Sequence, residues 1–161
     1  MALHIISAGV WISQFVAEFA LDRLAQSMKG KAGQAIAVLG TARAASLMGT
    51  VGGTGILITG LLLTFEFRYG ILGIGGVYTP TWLVIKQIIF IIAMALVGSM
   101  VTRTTRQALP QVMQAINAGT PLPAEAEAAL NRATMVSRIV NLLVLINIFI
   151  GVYAVNGGYL V

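Results

Sequence analysis

The sequence contains no cysteine, a single histidine and few charged side chains. The lack of cysteine excludes disulfide bonds, thiolate metal sites, iron–sulfur clusters and a cysteine nucleophile. A single histidine excludes any site built wholly of histidines within one chain. Only 9% of the 161 residues are charged, whereas a soluble domain carries about 25% and needs them to cover its surface. These shortages indicate an integral membrane protein.

Apolar side chains are abundant instead, since they make up 58% of the chain and fall in long runs. Each of four runs is close to the roughly 20 residues that cross a hydrocarbon core of about 30 Å as a helix. We therefore predict an all-α fold, an integral membrane up-and-down four-helix bundle formed by a single domain of residues 1–161. The four predicted spans are approximately residues 2–24, 44–65, 81–101 and 136–155.

Positive charge is distributed unevenly among the connections between these spans. Eight of the ten Lys and Arg residues lie in or beside the first and third connections, at about 25–43 and 102–135, and the second connection holds only Arg68. Because Lys and Arg accumulate on the cytoplasmic side, we expect both basic connections in the cytoplasm and both termini on the outer side of a bacterial inner membrane. The net charge of +5 reflects topology and contact with lipid headgroups, and we expect no nucleic-acid partner.

The second and third connections carry local signals of their own. Residues 67–80 are rich in glycine and aromatic side chains, so we expect a compact loop on the membrane surface. Pro123, which two acidic residues follow, is typical of a helix start and predicts a helix that runs into the fourth span. Residues 111–118 are expected to continue the third helix past a kink at Pro110.

Five side chains in the first span lie on one helical stripe, because they are spaced by three or four residues. We call them the polar stripe: His4, Ser7, Trp11, Gln14 and Glu18. A charge at mid-span costs about 2.5 to 3.5 kcal/mol unless it is partnered, so the stripe must face other helices or a cavity. One interpretation is a lined pathway in a small transporter or proton pathway. The other is a structural role, in which Gln14 is hydrogen-bonded and Glu18 forms an ion pair with Arg43 or Arg138.

Three ionisable side chains near the outer ends of the spans form a second candidate site: His4, Glu66 and Lys86. Imidazole can bind copper, haem iron or chlorophyll magnesium, and a carboxylate or an amine can complete or tune such a site. His4 is therefore the candidate metal ligand, and Glu66 and Lys86 are candidate cofactor-binding residues. Alternatively, His4 contacts a lipid headgroup or caps its helix, and Lys86 extends its amine toward the membrane surface.

The second span is rich in small residues, which let helices approach closely where lipid provides no hydrophobic force for helix pairing. We call these residues the glycine face: Gly49, Gly53, Gly55 and Gly60. The face packs either within the bundle or against another subunit. In the fourth span, Asn141 and Asn147 indicate hydrogen bonds between helices.

No Ser, His and Asp set and no paired carboxylates in a cleft are visible in the sequence, so hydrolytic catalysis is not expected. The first functional hypothesis is accordingly a non-catalytic subunit or scaffold, which associates with other membrane subunits or with itself through the glycine face. The second is a metal or tetrapyrrole carrier centred on His4. The third is the transporter or proton pathway along the polar stripe.

The chain resembles a bacterial family of predicted integral membrane proteins of unknown function in the segments LHIISAGVWIS, TGLLL, PTWLVIKQIIF, RTTRQALP and RIVNLLVLINIFIGVYAVN. More distantly, it is similar to the membrane domain of copper resistance protein D. The resemblance implies a four-helix inner-membrane bundle. His4 and Trp11 match the first-helix positions of that domain, and Lys86 matches its third-helix W-x-x-x-K position after Trp82. Ser13 stands where a glycine is usual.

Overall fold

The computed structural model describes residues 1–155, and the protein is all-helical, with 84% helix and no strand in the described part of the chain. A π-helical segment, Val97–Thr102, joins α3 (Thr81–Leu96) and α4 (Arg103–Ala118) into one continuous helix of 38 residues, Thr81–Ala118. Residues 156–161 of the predicted domain lie outside the described range. The α-helices are α1 (Ala2–Ser27), α2 (Gly33–Glu66), α3 (Thr81–Leu96), α4 (Arg103–Ala118) and α5 (Ala124–Val155).

Four helices in the described chain are long and apolar enough to cross a membrane, which confirms the predicted number of spans. All four are longer than the roughly 20 residues that a bilayer requires, and the 34 residues of α2 extend for about 51 Å. The predicted connections 25–43 and 102–135 are therefore mostly helical, and only residues 28–32 and 119–123 leave the helical conformation. Hydropathy detects the apolar part of a helix, whereas these helices continue as amphipathic segments beyond it.

The two ends of the bundle differ in their connections. We call the end that carries residues 28–32 and 119–123 the basic end, and the end that carries residues 67–80 the loop end. Along the bundle, α1 packs on α2 and α3 packs on α5, while contacts between α1 and α5 join the two pairs. At the basic end α4 packs on both α2 and α5.

Two clusters of buried apolar side chains hold these helices together. The cluster in the middle of the bundle is formed by Trp11, Ala93, Val140 and Val144. The cluster at the basic end is formed by Ala35, Val112, Ala115, Leu122 and Ala126. The second cluster explains why the helices continue past the predicted spans, since it buries the apolar faces of α2, α4 and α5 against one another.

Local sequence determines where the helices at the basic end begin and end. α5 begins directly after Pro123, with two acidic residues in its first turn, which confirms the predicted helix start. α4 ends at Gly119, whose φ of +62° is in the left-handed region that glycine adopts at little cost. Residues 111–118 continue the third helix as predicted. Pro110 lies within α4 on an exposed position, and the irregular π-helical turn lies further upstream.

The loop at residues 67–80 is compact, as expected, because side chains satisfy its backbone. The amide of Gly70 donates to Thr79 Oγ1 at 2.7 Å, and the amide of Leu72 donates to Gln87 Oε1 at 2.6 Å. The amide of Val77 donates to the carbonyl of Arg68 at 3.1 Å. Its position on the membrane surface stays a prediction.

Candidate functional site: a cavity that ends at Glu18

Glu18 is a carboxylate in the interior of the bundle, in the third quarter of α1, and only 6% of it is exposed. Its Oε2 atom accepts a hydrogen bond from Ser137 Oγ at 2.9 Å and another from Asn141 Nδ2 at 3.1 Å. Ser137 and Asn141 lie four residues apart on α5, so both point toward α1 from one helix face. The carboxylate therefore links α1 to α5 within the bundle.

Trp11 determines how Asn141 is oriented. The indole Nε1 of Trp11 donates to Asn141 Oδ1 at 3.4 Å, and an indole N–H can only donate. The amide oxygen of Asn141 must therefore face Trp11, which directs its Nδ2 donor toward Glu18. As a result, both acceptor positions of Glu18 Oε2 are used, while its Oε1 atom accepts no hydrogen bond from the described residues.

A cavity of about 70 Å³ extends from Glu18 toward the basic end, between α1, α2, α4 and α5. This volume exceeds the roughly 10–15 Å³ that one water molecule needs, and both polar and apolar side chains line it. The polar lining residues are Glu18, Asp22, Gln26, Gln34, Thr41, Thr105, Glu127, Asn131, Thr134 and Ser137. The cavity thus brings water-compatible surface to a carboxylate in a membrane-spanning segment.

Three carboxylates line this cavity, and two of them are neutralised by ion pairs. Arg138 Nη2 lies 2.7 Å from Asp22 Oδ2, and Lys29 Nζ lies 3.0 Å from Glu127 Oε1. Glu18 has no cation within ion-pair distance among the described residues.

The predicted ion pair of Glu18 with Arg43 or Arg138 is therefore wrong. Arg138 pairs with Asp22, one turn nearer the basic end, where 58% of the arginine side chain stays exposed. This choice has a physical reason, because a pair with the buried Glu18 would require the guanidinium to lose its water. Arg43 lies on an exposed position of α2 and forms no ion pair within the described chain.

Above Glu18, toward the loop end, the polar stripe is closed by the glycine face of α2. A methyl group added at Gly49 would come within 2.9 Å of Gln14 Oε1, and one at Gly53 would come within 2.5 Å of Trp11 Cζ3. One added at Gly55 would overlap the Ser7 hydroxyl. The glycine face therefore packs within the bundle, against α1.

Gln14 is 7% exposed and lies in this closed part of the stripe. Its Oε1 atom is buried with no hydrogen-bond partner in the described chain, so this oxygen does not take part in the hydrogen bonding predicted for Gln14. Ser7 satisfies its own hydroxyl by donating to the carbonyl of Leu3 at 2.8 Å.

The candidate ligands His4, Glu66 and Lys86 lie at the loop end, but they do not form one site. His4 Nδ1 lies 2.9 Å from Thr59 Oγ1, and Gly60 lies beside the imidazole ring. Lys86 Nζ donates to the carbonyl of Asn147 at 3.0 Å, and Asn147 Nδ2 donates to the carbonyl of Lys86 at 3.1 Å. Lys86 therefore bonds to α5 rather than extending into solvent.

Glu66 is exposed at the end of α2, and no hydrogen bond or ion pair joins it to His4 or Lys86 in the described residues. Within residues 1–155, no three His, Asp or Glu side chains converge in a way that could hold a metal ion. His4 Nε2 forms no hydrogen bond with the described residues. It is therefore one isolated candidate ligand for a metal ion, with no second ligand beside it.

The structure also identifies one partner that the sequence analysis missed. Asn141 and Asn147 form the predicted hydrogen bonds between helices, to α1 and α3 respectively. Ser137 was not singled out, although its spacing of four residues from Asn141 is the signal that could have found it. Small hydroxyl side chains are common in membrane helices, so the spacing becomes informative only beside a buried carboxylate.

In comparisons with known proteins, the chain matches no family model, no curated protein and no solved structure. The resemblance to predicted integral membrane proteins and to the copper resistance domain therefore stays a prediction. The described residues form an all-helical protein with four helices long and apolar enough to cross a membrane, in which the Glu18 carboxylate, outside any ion pair, lines a cavity.

Proposed function

We propose that this chain is a small membrane transporter or proton pathway in which Glu18 takes up and releases a proton. One observation carries the proposal: Glu18 is buried in a membrane-spanning helix, forms no ion pair with the described residues and lines a cavity with room for water. Uncompensated ionisable groups inside membrane helices are costly, so they are typical of ion and proton pathways.

The hydrogen bonds of Glu18 indicate which oxygen receives the proton. Oε2 already accepts from Ser137 and from Asn141, and Asn141 is held in that orientation by Trp11. A proton that arrives through the cavity therefore binds to Oε1. Release reverses this step, since the two donors continue to stabilise the negative charge on Oε2.

The surroundings of Glu18 favour a proton over a metal cation. Metal cations need several oxygen or nitrogen acceptors at once, whereas Ser137 and Asn141 both present donors to the carboxylate. The other two carboxylates of the cavity are held by Arg138 and Lys29. A single free oxygen is enough to bind a proton.

Access to Glu18 in this proposal is from the basic end, because the other direction is sealed. Trp11 is 3% exposed and lies against Gly52 and Gly53, so passage to the loop end requires α1 and α2 to separate at this contact. The excess of Lys and Arg predicts that the basic end faces the cytoplasm of a bacterial inner membrane, so in this proposal the proton enters from the cytoplasm.

Proton flux into proteoliposomes tests the proposal directly. With an imposed potential and a pH-sensitive dye inside the vesicles, the protein should conduct protons, and Glu18→Gln should reduce the flux to that of empty vesicles. Glu125→Gln is the matched control, because Glu125 is exposed in the first turn of α5 and should leave the flux unchanged. Flux that is the same with and without the Glu18 carboxylate would contradict the proposal.

A second candidate function rests on His4, whose Nε2 atom is free in the described chain and whose ring lies at the same end as Lys86. A copper ion, haem or chlorophyll held by this nitrogen would need further ligands from outside the described residues. An absorption spectrum and elemental analysis of the purified protein test it. A Soret or chlorin band, or stoichiometric copper, that disappears in His4→Ala would favour this function.

The role of non-catalytic subunit or scaffold rested on two observations, the glycine face and the lack of a recognisable catalytic set. The first no longer favours it, because the glycine face contacts α1 within the same chain. Association with itself or with other membrane subunits stays a prediction, which crosslinking in native membranes would test.

A further inference from the structure

Gln14 carries a buried amide that has nothing to bond to. It lies one helical turn from Glu18 on α1, toward the loop end, and is only 7% exposed. Neither its Oε1 nor its Nε2 atom forms a hydrogen bond with the described residues, and Oε1 is fully buried. A buried acceptor without a donor loses its bonds to water and gains none in return, so folded proteins contain few of them. The missing donor of Gln14 Oε1 therefore calls for a physical explanation.

The other neighbours of this oxygen do not supply the donor. On α2 it faces Gly49, which has no side chain, and a methyl group added there would come within 2.9 Å of it. On α1 the indole N–H of Trp11 already donates to Asn141 Oδ1, and on α5 the Asn141 amide already donates to Glu18 Oε2. The remaining neighbour is Glu18 itself, which becomes a donor when its carboxylate is protonated.

Helix geometry brings the two side chains within reach of each other. Residues four apart lie on the same helix face with Cβ atoms about 5–6 Å apart, a spacing at which amide and carboxyl side chains form hydrogen bonds. The terminal torsions of Gln and Glu are broad, so a rotation can bring Gln14 Oε1 and Glu18 Oε1 together. Glu18 Oε2 is already occupied by Ser137 and Asn141, which leaves Oε1 for the proton.

We infer that Gln14 Oε1 accepts the hydrogen bond that Glu18 Oε1 donates once it is protonated, so that Gln14 completes the proton site. A hydronium ion in the cavity gives its proton to Oε1 and leaves as water, and release returns the proton to cavity water. Gln14 is a positioning residue and is not itself titrated. The inference rests on the proposed role of Glu18, but this hydrogen bond can be observed without measuring transport.

Few charges face the Glu18 carboxylate. From α1 and α5 these are Asp22 and Arg138, which are paired with each other at 2.7 Å. Further along the cavity Glu127 is paired with Lys29 at 3.0 Å. The cavity walls that α2, the π-helical segment and α4 contribute contain no titratable side chain among the described residues. A neutral substitution on the next turn of α1 leaves all of these groups in place, so its effect on the carboxylate can be measured by itself.

Infrared spectroscopy of the protein in lipid vesicles can observe this bond. A protonated carboxyl has a C=O stretching band that an ionised one lacks, and the Glu18 band is the one that disappears in Glu18→Gln. Gln14→Met keeps the length of the side chain but removes the amide oxygen. We expect it to move the Glu18 band to higher frequency and to lower the pH of half intensity by about one pH unit, because the protonated form loses a hydrogen bond.

Gln26→Met is the matched control for this substitution. Gln26 is an exposed glutamine two turns beyond Glu18 on α1, on the side of the basic end, and it also lines the cavity. Its replacement removes the same amide from the same helix without touching the acceptor at Gln14. It should therefore leave the frequency and the pH dependence of the Glu18 band unchanged.

Thermal unfolding gives a second measurement, in which the sign of the effect depends on pH. When Glu18 is ionised, Gln14→Met should raise the unfolding midpoint, since it replaces an unbonded buried amide by an apolar side chain. When Glu18 is protonated, this gain should disappear, because the amide of the unchanged protein then has its donor. A purely structural role of Gln14 would give the same difference in midpoint at both pH values.

The outcomes separate this inference from the proposed function. If the Glu18 band of Gln14→Met matches that of the unchanged protein, the inference is overturned, whatever the flux shows. If the band responds as expected but proton flux does not depend on Glu18, the inference stands and the proposed function falls. If no band depends on Glu18 at any pH at which the protein stays folded, the carboxylate does not take up a proton and both are overturned.

Discussion

Two stretches of the polar stripe on α1 lie in opposite environments. From His4 to Gln14 the stripe faces α2, whose glycines press against Ser7, Trp11 and Gln14 without leaving space for a methyl group. At Glu18 the stripe instead faces α5, which offers a hydroxyl and an amide, and a cavity opens beside it. The same helical spacing therefore produces a closed packing surface in one stretch and a water-accessible carboxylate in the next.

This comparison shows that polar residues on a membrane helix do not by themselves make a pathway. Their effect depends on the helix opposite: small residues bring backbones together and exclude water, whereas polar residues with longer side chains hold helices apart and can enclose water. The transporter hypothesis thus applies to the part of the stripe below Trp11. From Trp11 toward the loop end, the polar stripe has a structural role, because its side chains pack against α2.

The largest loss of stability is expected when a bulky side chain is added to the glycine face, in the closed stretch. Gly53→Leu should destabilise the protein by about 3 kcal/mol, because even a methyl group there would come within 2.5 Å of the Trp11 ring. Gly9→Leu is the control, since nothing lies within 4 Å of a side chain added at Gly9. Thermal unfolding in detergent measures both. Equal midpoints for the two variants would show that the glycine face is not tightly packed.

Removal of the carboxylate from the open stretch should have the next largest effect. Glu18→Ala leaves the donors of Ser137 and Asn141 without their acceptor and should cost about 2 kcal/mol of stability. Glu18→Gln keeps an amide oxygen for them and should lose less than half of that amount. If both variants unfold at the midpoint of the unchanged protein, water in the cavity already satisfies the two donors.

Substitution of Trp11, which lies between the two stretches, should cost less stability. Trp11→Phe keeps an aromatic ring against the glycines but removes the N–H that orients Asn141, so we expect a loss of about 1 kcal/mol. Proton flux should also change, because Asn141 can then turn its amide oxygen toward Glu18. A variant with unchanged stability and flux would show that the 3.4 Å bond contributes nothing to the site.

The smallest loss of stability is expected for the exposed ion pair of Lys29 with Glu127, where the cavity meets solvent. Lys29→Gln removes an ion pair in which the lysine side chain is 63% exposed, and it should cost about 0.5 kcal/mol or less. Adding Glu127→Gln should cost no more, since the partner is then neutral as well. A double-mutant cycle at low and high salt measures the coupling, and a coupling that salt does not weaken would contradict the exposed geometry.

The membrane spans could be predicted from sequence because apolar runs of helical length have few other solutions in a bilayer. The start of α5 at Pro123 was predictable for a similarly local reason. The helical extensions at the basic end were not, since Val112 and Leu122 become apolar core only when α2, α4 and α5 meet. The ion-pair partner of Arg138 could not be predicted from the sequence either. Glu18 and Asp22 are one helical turn apart, and the sequence does not reveal which of them is buried.

The sequence by itself determined that the chain has four helices long and apolar enough to cross a membrane and that His4 to Glu18 form one stripe, because composition and helical period are local properties. Only the tertiary structure decided that the glycine face closes the stripe above Glu18 and that Arg138 forms its ion pair with Asp22 rather than with Glu18. Both outcomes depend on which helices lie opposite each other, and the burial and water access of a side chain are set by those neighbours rather than by its position along the chain.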